Sequence, residues 1–283
     1  QHLKWLTVDQ LDDNAADEWF LPDINEDSLA LLQYTSGSTA QPKGTMVSHG
    51  NLLHNSRSIC TAFGHSRSSV AVGWLPMTHD MGLVGNVLQP LFVGFPIVIM
   101  APEHFLVKPI RWLRAISRYR ATTSGGPNFA YDHCSQKIRP ELRSELDLSS
   151  WQLAFNGAEI IRPATLDRFS AEFAQCGFQP EAFHPCYGLA ESTLIVTSGP
   201  GDATPVRKAF DAVALGAKRA VQVVDDADNS RTLVACGRTY LEQEVVIVDP
   251  DTCRRCPDGH IGEIWVAGRS VAQGYHNKPR ETK

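Results

Sequence analysis

The chain has 283 residues, enough to bury a sizeable core and to form one large domain or two ordinary ones. With 43% hydrophobic and 20% charged residues its composition is that of a globular protein, which excludes a fibrous or wholly disordered chain. The net charge of −5 is spread along the sequence, and no Lys/Arg stripe with interleaved aromatics occurs, so no nucleic-acid partner is expected.

Residues 1–28 are polar and acidic and read as a connecting segment. From Leu29 short apolar runs alternate with amphipathic ones. Leu29 to Tyr34 predicts a strand, followed by a Gly/Ser/Thr loop. Ser48 is placed to cap a helix whose stripe is Leu52, Ser56, Ile59, Cys60 and Phe63. Val70 to Leu75 predicts a strand, His79 to Phe92 a helix and Ile97 to Met100 another strand. The longest apolar stretch, Leu91 to Ala101, is broken by Gly94 and Pro96 and is too short to span a bilayer. Trp112, Leu113 and Ile116 mark a helix, Trp151 to Phe155 a strand, and Leu166, Phe169, Phe173 and Cys176 a helical stripe. Strand–helix alternation over 29–200 predicts an α/β part with a mostly parallel sheet. Beyond Pro200 the runs Val221 to Val224, Leu233 to Cys236, Val245 to Val248 and Ile261 to Val266 are separated by turns and predict a β-rich part over 201–283.

The seven cysteines are odd in number and irregularly spaced, which suits reduced thiols in a cytoplasmic setting. Cys253 and Cys256 form a C-x-x-C between turn signals with no second pair nearby. A hairpin loop is the reading favoured over a zinc site. The N-terminus, Gln1 to Trp5, has the features of neither a signal peptide nor an initiator segment and reads as a cut inside a longer protein.

The most informative stretch is Tyr34 to Gly44, Y-T-S-G-S-T-A-Q-P-K-G, directly after a predicted strand. Gly37 permits a positive φ and close approach of the backbone to an anion. Thr35, Ser36, Ser38 and Thr39 offer hydroxyl and amide donors, and Lys43 adds a point charge. Hydrogen bonds to a charged partner contribute roughly 1.5–3 kcal/mol each, so several converging donors suffice for a polyphosphate. The pattern is not a Walker A loop, because Pro-Lys-Gly stands where Gly-Lys-Ser/Thr would be needed. On composition alone an ordinary hydroxyl-rich surface loop is the competing reading.

The order of residues in this loop resembles the phosphate-loop signature of the adenylate-forming superfamily. Tyr187-Gly-Leu-Ala-Glu-Ser-Thr193 resembles its adenine and magnesium motif, and Gly262 to Gly268, G-E-I-W-V-A-G, its later β motif. Within the superfamily, Leu75-Pro-Met-Thr-His-Asp-Met-Gly-Leu83, Ser124 to Tyr131 and Asn156-Gly-Ala-Glu159 resemble the fatty acyl-AMP ligases. So does Ala190, where a threonine is usual in the wider group; Ser192 and Thr193 remain as hydroxyl donors. The stretch 205–231 is a candidate for the insertion that these ligases carry.

The resemblance implies an adenylate-forming N-terminal domain, an α/β sheet part followed by a β-rich, barrel-like part. It implies ATP and Mg²⁺ as cofactors, with a fatty acid and an acyl carrier protein as partners. Thr35, Ser36, Gly37, Ser38, Thr39 and Lys43 would hold the β- and γ-phosphates. Tyr187 and Gly188 would face adenine, with Gly157, Ala158 and Glu159 on its other edge, Ser192 near the phosphates and Glu191 on the magnesium ion. His79 and Asp80 would lie where acyl chain meets nucleotide, although Asp80 also suits a helix start. Gly125, Gly126 and Pro127 would shape the acyl tunnel, or serve as a strand-to-helix turn.

The family continues with a ribose-binding aspartate, a hinge and a small C-terminal domain that supplies a catalytic lysine, whereas this sequence ends at Lys283. Turnover by this chain alone is therefore expected to be weak, since one lost charge donor typically costs about 10²–10³ in rate. An acyl-CoA synthetase and a non-catalytic module binding adenylates or lipids are the alternatives.

Overall fold

The computed structural model describes residues 7–10, 12–35, 42–199, 203–224 and 229–282. Its centre is a six-stranded sheet in the order β4-β3-β5-β6-β7-β8. These strands are β3 (Ala71–Gly73), β4 (Ile97–Ile99), β5 (Thr123–Gly126), β6 (Leu153–Asn156), β7 (Phe183–Gly188) and β8 (Ile195–Ser198). All neighbours run parallel except β7 and β8, which form an antiparallel hairpin.

The inner strands β3, β5 and β6 are buried on both faces, and alternation along the strands sorts the side chains into two layers. Ser124, Ala154 and Phe183 face one side, where α4 (Ile110–Tyr119), α5 (Asn128–Lys137) and α6 (Pro163–Phe173) pack. Trp112, Tyr131, Trp151, Phe169 and Phe183 make a web of edge-to-face contacts there. Burying side chains of this size contributes roughly 1.5–3 kcal/mol each. The polar ends are satisfied inside: Trp112 Nε1 donates to Ser124 Oγ at 2.8 Å, and Ser124 Oγ to the Val72 carbonyl.

Thr123, Phe155 and His184 face the other side, toward α1 (His49–Phe63) and a π-helical stretch, Met81–Leu88. Ser48 and Asn51 close a reciprocal capping box at the start of α1, and Gly64 ends the helix in the left-handed conformation. The expected stripe is only part of what α1 buries. Asn51, His54 and Asn55 are buried too, because residues 269–271 lie across them. Asn51 Nδ2 donates to the carbonyls of Arg269 and Val271, and His54 and Asn55 both meet Ser270 Oγ.

The predicted helix from His79 is π-helical at first, then continues as α2 (Gln89–Val93), with the Gln89 amide reaching back to the Val84 carbonyl. Gly82 permits this, since a β-carbon there would lie 2.0 Å from the Pro76 carbonyl oxygen. A short α3 (Pro102–Val107) precedes α4.

Two expectations are corrected. Leu29 to Tyr34 is a strand, β1 (Leu29–Thr35), but it lies outside the parallel sheet, in a hairpin with β2 (Lys43–Ser48). Val221 to Val224 forms no strand, although Gln222 makes an isolated bridge to Phe210. Among the described residues the β-rich part consists of two antiparallel sheets. One pairs β9 (Arg207–Asp211) with β10 (Ser230–Val234), with α7 (Ala212–Gly216) between them. The other has the order β12-β11-β13, from β11 (Glu244–Asp249), β12 (Arg254–Arg255) and β13 (Glu263–Ala267). The stretch 205–231 thus supplies β9, α7 and the start of β10; its residues 225–228 lie outside those described. Cys253 and Cys256 flank β12 at the edge of the second sheet. Among the described residues no helix is long and apolar enough to cross a membrane.

Candidate active site

A cavity of about 610 Å³ runs along the α1 face of the sheet. At its rim are Thr35 of β1, the carboxyl end of β7 with Tyr187 and Gly188, and Ala190 and Glu191 in the turn beyond. Its inner part is lined by Ile59, Phe63, Phe95 and Phe155, with His65 and Thr123 beside them. Open parallel sheets place ligands at the carboxyl ends of their strands, and this rim conforms.

Of the residues singled out in the sequence, Thr35, His79, Asp80, Ala158, Tyr187, Gly188 and Glu191 line this one cavity. Ser36, Gly37, Ser38 and Thr39 lie outside the described residues. Lys43 is across the β1–β2 ladder from Thr35, and its Nζ lies 2.8 Å from Glu281 Oε2. Ala158 takes a positive φ of 67°, a conformation rare for a residue with a β-carbon and one that concentrates at functional sites.

The other candidates sit behind the wall. A β-carbon on Gly157 would lie 2.8 Å from Cys186 Sγ, and one on Gly126 2.6 Å from the Trp74 ring. Gly125 faces the Phe155 carbonyl and ring, so it shapes the cavity only through Phe155. Pro127 sits at the junction of β5 and α5. The Glu159 carboxylate accepts from the Phe129 amide at 2.6 Å, a contact at the positive end of α5. Ser192 is buried, and the Thr193 hydroxyl donates to the Ser270 carbonyl at 2.7 Å, away from the cavity.

His79 and Asp80 follow the carboxyl end of β3. The largely buried Asp80 carboxylate accepts from the Met81 amide at 2.7 Å and from His79 Nδ1 at 2.6 Å. This bond raises the His79 pKa above its ordinary 6.5, with partial burial working against it. Because the folded value is the higher one, the pair's contribution to folding is complete below pH 6.5 and fades as pH rises through the elevated pKa. Replacement Asp80→Asn should therefore lower the His79 pKa, as read by NMR titration of its ring protons; an unchanged value would dissociate His79 from Asp80.

Tyr187 is half-buried, and its hydroxyl pKa is raised by desolvation first and the Glu191 charge second. Glu191 Oε1 accepts from Tyr275 Oη at 2.6 Å, while Oε2 has no hydrogen-bond partner among the described residues. No group of three or more His, Cys, Asp and Glu suited to a metal ion occurs among them. One open carboxylate at a cavity rim fits Mg²⁺, which usually takes one or two protein carboxylates and completes its shell with phosphates and water.

Sequence reasoning missed several residues of the site. Gln33, a polar residue within an apolar strand, is buried on the cavity and donates to the Thr78 carbonyl at 2.9 Å. Phe63 and Phe155 had a signal only as ordinary core residues, and His65 had none. Tyr275 carried no assigned role.

A medium-chain-fatty-acid–acyl-carrier-protein ligase of Moorena producens is 45% identical over 286 residues, covering 100% of this chain and 48% of that protein. A long-chain-fatty-acid–AMP ligase of Mycolicibacterium smegmatis is 37% identical, covering 100% of this chain and 46% of its own length. The fatty acyl-adenylate ligase from L. pneumophila, solved with acyl adenylate and pyrophosphate, superposes with a TM-score of 0.94 at 44% identity; 98% of this chain matches 48% of that one. The chain thus spans about half the length of the relatives it matches. The family model for AMP-binding enzymes matches residues 2–276, so the whole six-stranded sheet and its rim fall within it, and the chain belongs to that family.

Proposed function

We propose that this chain supplies the nucleotide and acyl sites of an enzyme that joins a fatty acid to AMP and passes the acyl group to an acyl carrier protein. The observation that carries the reading is the continuity of the cavity. Its rim gathers Thr35, Tyr187 and Glu191, and its interior is mostly apolar, lined by Ile59, Phe63, Phe95 and Phe155 with His65 and Thr123 beside them. A polar rim suits a nucleotide and an apolar interior an alkyl chain. The ligase names of the relatives point the same way. The free thiols of all seven cysteines suit a reducing, cytoplasmic setting.

In the proposed reaction a carboxylate oxygen of the fatty acid bonds to the α-phosphorus of ATP. The bond from that phosphorus to the bridging oxygen breaks, and pyrophosphate leaves. The chain's residues position the reactants and offset charge. Tyr187 offers an aromatic face to adenine. Lys43, at the start of β2, supplies positive charge toward the phosphates. His79, kept protonated to a higher pH by Asp80, presents charge beside the carboxylate and α-phosphate. Glu191 would hold the magnesium ion, which when bound supplies positive charge to the phosphate oxygens.

Calorimetric titration with a non-hydrolysable dodecanoyl-adenylate analogue tests the reading. Saturable binding is expected, weakened in Tyr187→Ala by about 1–3 kcal/mol, the usual contribution of stacking on one base. A folded wild-type chain that binds no analogue would sink it.

A further inference from the structure

We propose that Tyr275 is a positioning residue that holds Glu191 and Lys43, the two charged groups of the phosphate end, in one arrangement. The assignment rests on the function proposed above.

Three contacts converge on this side chain and its backbone. The hydroxyl donates to Glu191 Oε1 at 2.6 Å and thereby fixes which carboxylate oxygen stays open. The ring lies under Lys43, with Nζ 5.1 Å from its centroid, within the range of a cation–π contact. The backbone pairs with Thr45 of β2 in an antiparallel bridge, flanked by hydrogen bonds from Met46 N to Gly274 O and from His276 N to Gly44 O. The same segment reaches the other group through its main chain as well, because Ala272 N donates to the Glu191 carbonyl at 2.8 Å. Residues 272–276 therefore tie the strand that begins at Lys43 to the turn that carries Glu191.

A donor on Oε1 leaves Oε2 of Glu191 as the oxygen for a cation. Lys43 is likewise held from two sides, by the Tyr275 ring below and by the Glu281 carboxylate at 2.8 Å. Outer partners that orient a metal-binding carboxylate typically change metal affinity 10–100-fold when removed.

The test separates the hydroxyl from the ring. Mn²⁺, added with a non-hydrolysable ATP analogue, is followed through the electron paramagnetic resonance signal of the free ion, which disappears on binding. Tyr275→Phe keeps the ring and should weaken Mn²⁺ uptake about tenfold. Its metal-free affinity for the analogue should stay within about twofold of wild type. Tyr275→Leu removes the ring as well and should also weaken metal-free binding of the analogue. Circular dichroism establishes that both variants are folded. Unchanged Mn²⁺ uptake by Tyr275→Phe, beside normal wild-type uptake, would overturn the assignment of Tyr275 alone. A wild-type chain that takes up no Mn²⁺ with the analogue would overturn the proposed function and this assignment with it.

Discussion

Gly125→Val is expected to abolish the cooperatively folded state or to destabilise it by more than about 4 kcal/mol. A β-carbon at this position would lie 2.2 Å from the Phe155 carbonyl oxygen and 2.5 Å from the Phe155 ring. Neither can retreat freely. The carbonyl belongs to the next strand of the parallel ladder, where Gly125 is the register partner of Phe155, and also accepts from Tyr131 Oη at 2.7 Å. Overpacking a core by a methylene or two typically costs 1–3 kcal/mol, and backbone in the way raises the cost beyond what side-chain repacking can relieve. Gly125→Ala is the informative companion. If it folds, its methyl must push the Phe155 ring toward the cavity and narrow its inner part without altering the rim. Urea unfolding of both variants and titration with acyl-adenylate analogues of increasing chain length would show this. A Gly125→Val chain as stable as wild type would mean that β5 and β6 can separate at little cost.

Acidification from pH 6.5 to pH 4 should cost the fold several kcal/mol, most of it through two histidines on the α1 face of the sheet. His65 has its pKa lowered to about 4 by burial and by the neighbouring positive charge of His184. His184 has its own lowered to about 4 by burial. Both stack edge-on against Phe63, and His184 Nε2 has no hydrogen-bond partner among the described residues. Between the two pKa values the unfolded chain binds more protons than the folded one, so stability falls as pH falls. At about 1.4 kcal/mol per pH unit each histidine contributes roughly 3 kcal/mol at most. Exposed acids with lowered pKa values, Asp147, Asp249 and Glu281, act only below about pH 4.5, beneath most of this window. Urea unfolding at successive pH values should show His184→Phe losing roughly half as much stability as wild type. Identical slopes for the two proteins would remove the histidines from the account.

What the sequence revealed and what it hid follow a physical division. Periodicity and capping are local, and they located α1, α4 and α6 and three of the six strands of the sheet, β3, β4 and β6. Motif order marked the rim, and seven of the residues so marked line one cavity. Non-local partners were hidden. Asn51, His54 and Asn55 stand outside the predicted stripe, yet a segment more than 200 residues away buries them. β2 did not read as a strand, because Lys43, Gly44 and Ser48 carry little strand preference and the ladder comes from β1 on one side and residues 273–276 on the other. An apolar run such as Met81 to Leu88 looks the same whether it winds as an α- or a π-helix. The Glu159 carboxylate, assigned to adenine by resemblance, is engaged by the Phe129 amide, a contact no motif encodes.

The seam between α1 and residues 269–271 also bears on how the protein is made. Asn51 and Val271, joined side chain to carbonyl, are 220 residues apart. At about 5–20 residues per second a ribosome needs roughly 10–45 s to deliver the second after the first. For that interval the early hairpin and the polar face of α1 are without their partner. The β1–β2 hairpin and α1 are thus made well before the segment that completes them, and until it arrives a nascent chain presents their uncovered polar face to chaperones and proteases.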